Sequence, residues 1–232
     1  MTLTVWRIAL NNETWAIRLW PLLDISEKTR AERFRGVDLR RRHVIAHGAV
    51  RLLLADFCQQ PVTTLRLVQN AWGKPALADA GSPVFNLSHT QDLALCAIAP
   101  AGEIGVDIEA LRPSPIVERL DLARRFFSLD EYQALNELDT QAFSSAFFRC
   151  WTRKEAYIKA KGLGLSLPLN QFSVACRLDA APALLASEYC PADVTRYQFW
   201  DLAVPEGYCG SLAYCGPAGD KLICRDWALD SD

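Results

Sequence analysis

Apolar and polar positions along the chain alternate between two periods. VWRIAL at 5–10 and TWAIRLW at 14–20 are dense in aromatic and β-branched residues and predict two strands separated by NNE. SEKTRAERF at 26–34 predicts a helix with a serine cap. DLRRRHVIAHGAVRLLLADFC at 38–58 predicts a stronger one, with Val44, Ala46, His47, Val50, Leu53, Leu54 and Phe57 at helical spacing and Pro61 beyond its end. LRLVQN reads as a strand and GKPAL as a turn. PVFNLSHT, LALCAIA and IGVDIEAL read as short strands, the last two joined by PAGE, and LRPSP breaks the chain. Two helices follow in VERLDLARRFF and the serine-capped SLDEYQALNEL. A long helix, AFSSAFFRCWTRKEAYIKAKG, ends at Gly162, a residue suited to a left-handed cap. FSVAC, TRYQFWDLAV, GYCGSLAYC and KLICRDWAL predict late strands. Strands and helices mix without regular βαβ order, which predicts an α+β fold with a boundary near Ala99–Gly102.

Composition narrows the class. With 232 residues, half of them hydrophobic and 22% charged, the chain suits one large globular domain or two small ones. A net charge of −2 supplies no global basic field for nucleic acid. The first residues show no basic leader before an apolar core, so no signal peptide is expected, and no apolar run is long enough for a bilayer. Eight scattered cysteines form no CxxC pair; free thiols in a reducing cytoplasm are expected.

Candidate chemistry begins with GVDIE at 105–109. Alternation turns Val106 and Ile108 to a core and sets Asp107 and Glu109 side by side on the other face. Their repulsion must be offset by solvent, as at an ordinary strand end, or by a cation; magnesium favours carboxylates combined with waters and phosphates. A third acid stands among four bases in WTRKEAYIKAKG, where Arg153, Lys154, Lys159 and Lys161 surround Glu155. Phe143, Phe147, Trp151, Glu155 and Lys159 recur every fourth residue, so Glu155 extends an inward apolar row and needs a partner. A metal held by Asp107 and Glu109 would serve, with Lys154, Lys159 and Lys161 left for phosphate oxygens; a salt-bridged helix end is the alternative. Asn86 and Ser88 share one face of FNLSHT, and His89 at its end suits a phosphate or ribose. Arg30, Arg33, Arg35, Arg40, Arg41 and Arg42 form the densest basic region. His43 and His47 have the spacing of a metal pair without an evident third ligand.

GKP at 73–75, FNLSH at 85–89, GVDIE at 105–109, RRFFSLDEY at 124–132 and WTRKEAYIKAKGLGLSLP at 151–168 together resemble the 4′-phosphopantetheinyl transferases of the surfactin-synthetase-activating (Sfp-like) type. The resemblance implies a magnesium-dependent enzyme that moves the phosphopantetheine arm of coenzyme A onto a serine of acyl or peptidyl carrier domains and releases adenosine 3′,5′-bisphosphate. Such carriers serve fatty-acid, polyketide and nonribosomal-peptide synthesis. It implies two similar α/β subdomains, here 1–101 and 102–232, forming a pseudodimer within one chain, hence a monomer. By position, Asp107, Glu109 and Glu155 would be magnesium ligands. Lys159 and Lys154 would lie beside the pyrophosphate, Lys74 and Pro75 at the adenine end, and Ser88 and His89 at the 3′-phosphate. Lys28, Arg30 and Arg42 are the basic candidates for that phosphate from the N-terminal half. Glu155 is favoured as the base for the carrier serine, with Glu109 the competing choice. A D…(E/D)xK nuclease is the rival metal enzyme, but Glu155 and Lys159 lie four apart on a predicted helix. A nucleic-acid module would need aromatics interleaved with the arginines, and only Phe34 qualifies.

Overall fold

A computed structural model describes residues 2–112, 115–177, 179–217 and 221–229. The expected break at LRPSP falls partly on residues 113–114, outside the described residues. The N-terminal half runs β1 (Leu3–Ala9), α1 (Glu13–Leu19), α2 (Ile25–Glu32), α3 (Val37–Cys58), β2 (Leu67–Gln69), β3 (Pro75–Leu77), β4 (Val84–Thr90) and β5 (Leu93–Ala99). Then come β6 (Glu103–Ala110), α4 (Ile116–Phe126), α5 (Leu129–Asn136), α6 (Thr140–Lys161), β7 (Phe172–Val174), β8 (Leu184–Ser187), α7 (Asp193–Arg196), β9 (Gln198–Asp201), β10 (Tyr208–Cys215) and β11 (Leu222–Trp227).

Four sequence expectations change. TWAIRLW is the helix α1, because Asn12 is a cap rather than a turn residue: its side chain accepts from Trp15 N at 3.1 Å, with Glu13 in the first turn and Arg18 in the last. Asp24, not Ser26, caps α2, in a reciprocal capping box with Glu27. GKPAL is a turn only at its start and then pairs with β2 as β3. TRYQFWDLAV opens in α7 before becoming β9, and β8 carried no period that announced it.

Two sheets form the centre, one ordered β11-β1-β5-β4 and the other β6-β10-β9. LALCAIA is apolar throughout because β5 is buried on both faces. Ala94, Cys96 and Ile98 pack with Val44, Ile45 and Ala49 of α3, whereas Leu93, Leu95 and Ala97 pack with Val106, Ile108 and Leu212 of the second sheet. α6 covers the far side of that second sheet, burying Phe143, Phe147 and Tyr157 with Ala213. The layers are therefore helix, sheet, sheet, helix, in keeping with the expected α+β class. β11 pairs parallel to β1, so the last strand of the chain lies in the N-terminal sheet, across the 101/102 division.

Candidate active site

The packed sheets come together at their edge strands β4 and β6, and the acids gather at that seam. β4 and β6 are each the last strand of their sheet. An edge strand leaves backbone groups unpaired. Asn86 of β4 relieves one of them, its Oδ1 accepting from Val106 N of β6 at 2.9 Å. Ser88, two residues on and on the same face, donates its hydroxyl to Asp107 Oδ1 at 2.9 Å. α6 then lies close over β6. A Cβ on Gly105 would stand 2.0 Å from Ala156 O and 2.3 Å from Ala160 N, so only glycine admits this approach, and the small side chains of Ala156 and Ala160 allow it from the helix side.

That approach carries Glu155 and Lys159 to Asp107 and Glu109. Lys159 Nζ bonds Asp107 Oδ1 at 2.6 Å and Ser88 Oγ at 2.8 Å. Asp107 is buried, and its Oδ2 has no hydrogen-bond partner among the described residues. An orphaned buried carboxylate oxygen is costly unless something cationic meets it. Burial first, and then repulsion from Asp107, raise the pKa of Glu155; Lys159 partly opposes the rise. The same two causes raise Glu109, opposed by Lys159, Arg112 and a hydrogen bond with Trp151. The three carboxylates thus lie within electrostatic reach of one another, and a divalent cation that drew them together would relieve the repulsion. In this arrangement Lys159 supplies the counter-charge to Asp107, and among the described residues no three His, Cys, Asp or Glu side chains are close enough together to hold a metal.

On the other side of β4 is a cleft of about 410 Å³ lined by Arg30, His43, His47, Gly73, Pro75 and His89 among others. His89 lines the cleft, where desolvation first and then the positive field of His47, Lys159, Arg30 and Arg42 lower its pKa. Such a field suits an anion. The rings of His43 and His47 lie tilted at 37° with centroids 4.1 Å apart. His43 is buried with its pKa pushed down to about 4, by desolvation first and His47 second. His43 Nε2 bonds the Glu27 carbonyl at 3.1 Å, and since a carbonyl only accepts, Nε2 carries the proton. Glu27 also pairs with His47 Nδ1 at 3.4 Å and with the buried Arg51 at 2.6 Å.

Several expected ligands lie elsewhere. Ser88 cannot join His89 at a phosphate, because adjacent strand residues face opposite ways, and Ser88 belongs to the carboxylate cluster. Lys154 is fully buried, bonded to both Glu131 oxygens at 2.7 and 2.6 Å and to Phe172 O at 2.6 Å, so it reaches no pyrophosphate. One step along a helix rotates a side chain by about 100°, which sends Lys154 inward when Glu155 faces the seam. Arg153 is likewise taken by Asp201 at 2.9 and 2.6 Å, and Lys161 by Asp193 and Glu103. Of the four bases around Glu155, Lys159 alone meets the acids. Lys74 turns away from the cleft that Gly73 and Pro75 line; its ammonium bonds Ile104 O at 2.9 Å and Ala160 O at 2.8 Å, and burial lowers its pKa to about 8. Lys28 reaches back to Pro21 O at 3.4 Å, outside the cleft. Arg42 pairs with Asp92 at 2.8 Å and acts on His89 only through its field. Sequence reasoning missed Asn86 as a strap between the sheets, and missed Asn70, Glu27 and Arg51. The Asp24–Glu27 capping box was the one local signal among them.

Known sequences match the same segments. The family described as the 4′-phosphopantetheinyl transferase superfamily matches residues 103–213, which hold every acid of the cluster and Lys159. The 4′-phosphopantetheinyl transferase HetI of Nostoc sp. is 37% identical over 199 residues, 82% of this chain and 83% of its own length. The 4′-phosphopantetheinyl transferase psf-1 of Bacillus pumilus is 32% identical over 90% of this chain and 88% of its own, and Sfp of Bacillus subtilis 29% over 88% and 86%. Similarity of that extent spans both the cationic cleft and the carboxylate seam, and the chain belongs to the 4′-phosphopantetheinyl transferase superfamily.

Proposed function

We propose that the protein transfers the 4′-phosphopantetheine arm of coenzyme A to a serine of acyl or peptidyl carrier domains, turning apo carriers into holo carriers. The observation that carries this reading is the juxtaposition across β4: a cleft with Arg30 and His89 on one side, and Asp107, Glu109, Glu155 and Lys159 on the other. The nucleotide and its 3′-phosphate lie in the cleft, Pro75 against the base and His89 with Arg30 at the phosphate. The pyrophosphate then crosses to the seam.

The orphaned Asp107 Oδ2 and the repulsion that raises Glu109 and Glu155 suit magnesium, which these three residues would hold once drawn in around it. When bound, it neutralises charge on the pyrophosphate. The chain's own residues do the rest. The carrier serine oxygen attacks the β-phosphorus, and the bond from that phosphorus to the bridging pyrophosphate oxygen breaks, releasing adenosine 3′,5′-bisphosphate. Lys159 stabilises the negative charge growing on the leaving phosphate. Glu155 takes the serine proton, directly or through a water. Its raised pKa makes it a stronger base than an ordinary glutamate. Glu109, raised by the same causes, is the competing base.

Both sides of the seam come from one chain, so a monomer suffices; all eight cysteines are free thiols, which agrees with a reducing cytoplasm. Among the described residues no helix is long and apolar enough to cross a membrane. The test is the intact mass of an apo carrier incubated with this protein, coenzyme A and magnesium. A gain equal to the phosphopantetheine arm is expected on a peptidyl or fatty-acid carrier. No gain on either would refute the reading.

A further inference from the structure

We infer that Asn70 is a positioning residue: the β2–β3 turn it organises clasps the end of α6 and sets the spacing between the nucleotide cleft and the reacting carboxylates. The inference rests on the transferase reading. Asn70 itself neither lines the cleft nor bonds the acids, and all its polar atoms are committed to the clasp. Its Oδ1 accepts from the backbone N–H of Trp72 and of Lys74, each at 2.9 Å. Its Nδ2 donates to Gly162 O, at the cap of α6, at 2.7 Å. The turn is closed by Asn70 N to Lys74 O and Gly73 N to Asn70 O, both 3.0 Å.

From that turn Lys74 extends to Ala160 O, a helix-end carbonyl that needs a donor, and to Ile104 O at the start of β6. A cation is also favourable at this end of the helix dipole. The fit is tight: a Cβ on Gly162, whose φ is 66°, would lie 2.9 Å from Lys74 Cδ and 3.1 Å from Asn70 Nδ2. One short turn therefore grips both the strand that bears Asp107 and Glu109 and the helix that bears Glu155 and Lys159. Its other side presents Gly73 and Pro75 to the cleft. The two subsites a single coenzyme A must span are held together through Asn70.

Two substitutions separate the halves of the clasp. Asn70→Ala removes every side-chain bond. Asn70→Asp keeps acceptors for Trp72 and Lys74 but offers no donor to Gly162 O. Full-length wild type and both variants are compared for coenzyme A affinity by calorimetry, for kcat and for KM toward coenzyme A and toward an apo carrier. Both variants are expected to lose about tenfold in kcat/KM for coenzyme A and to bind it more weakly, with the carrier KM unchanged, since one such hydrogen bond is worth roughly a factor of ten. An Asn70→Asp variant that behaves as wild type would mean that only the shape of the turn matters and would overturn the proposal. So would losses that simply track the folded fraction, with both KM values unmoved. Wild type that binds no coenzyme A overturns this proposal and the transferase reading together. Wild type that binds it but modifies no carrier overturns the transferase reading alone, and the affinity ratio between wild type and variants still decides the clasp.

Discussion

Replacing Gly105 by alanine should separate the acid-bearing strand from the lysine-bearing helix. The new methyl carbon would begin 2.0 Å from Ala156 O and 2.3 Å from Ala160 N, both backbone atoms that cannot swing aside. Reaching an ordinary carbon contact of about 3.5 Å requires β6 and α6 to part by roughly 1 Å or more. Overpacking of this kind costs about 1–3 kcal/mol. For a chain of this size that lowers Tm by roughly 2–12 °C. The larger effect falls on the chemistry, because Asp107 and Glu109 ride on the strand whereas Glu155 and Lys159 ride on the helix. A misplacement of about 1 Å between reacting groups costs on the order of a hundredfold in rate. The assay is carrier modification at saturating coenzyme A and carrier, with Tm measured on the same samples. A kcat loss far beyond any loss of folded protein is expected, with coenzyme A affinity less affected because His89 and Arg30 lie on the far side of β4. Gly36→Ala serves as the control, since its Cβ would meet nothing nearer than Leu39 at 3.7 Å. Near-normal turnover and unchanged Tm in Gly105→Ala would refute the close-approach argument.

Other perturbations separate the roles of the remaining residues. Glu155→Gln should lower the rate at least about a hundredfold, and near-normal turnover at saturating magnesium would exclude Glu155 as the base. The same variant should stabilise the metal-free protein at neutral pH. Burial and Asp107 raise the folded pKa of Glu155, so the folded state holds more protons than the unfolded state between the two pKa values, and stability falls as pH rises through that window. Thermal melts of wild type and variant across acid and neutral pH check this: the gap should close at low pH, and a gap independent of pH counts against it. His89→Ala should weaken coenzyme A binding and narrow the preference over 3′-dephospho-coenzyme A, whereas no change in either quantity removes His89 from the phosphate. Lys154→Ala should cost about 3–5 kcal/mol in denaturant unfolding by leaving Glu131 buried without its counter-charge. Loss of coenzyme A affinity without loss of stability in that variant would restore Lys154 to the binding site.

Strong periods in the chain settled the longer elements and singled out the residues that cluster at the seam. α3, α6 and the three strands β4, β5 and β6 stand where their patterns placed them, and Gly162 ends α6 in the left-handed conformation. Asp107, Glu109, Glu155 and Lys159 were legible because a period-2 strand and a period-3.6 helix each turn their polar members to one face. α1 was not, since seven residues rich in tryptophan and isoleucine fit either period and the deciding cap was a single asparagine. Folding settled which base reaches the clustered carboxylates. Lys154, Arg153, Lys161 and Lys74 look equal to Lys159 in the chain, yet each is taken by an acid or a carbonyl outside the cluster, whereas Lys159 pairs with Asp107. Tertiary structure also put Ser88 with Asp107 and not with His89, and gave Asn86 and Asn70 their work between the halves. Local periodicity states which way a side chain points from its own backbone. What it meets there depends on distant segments brought close, and no short-range pattern encodes that.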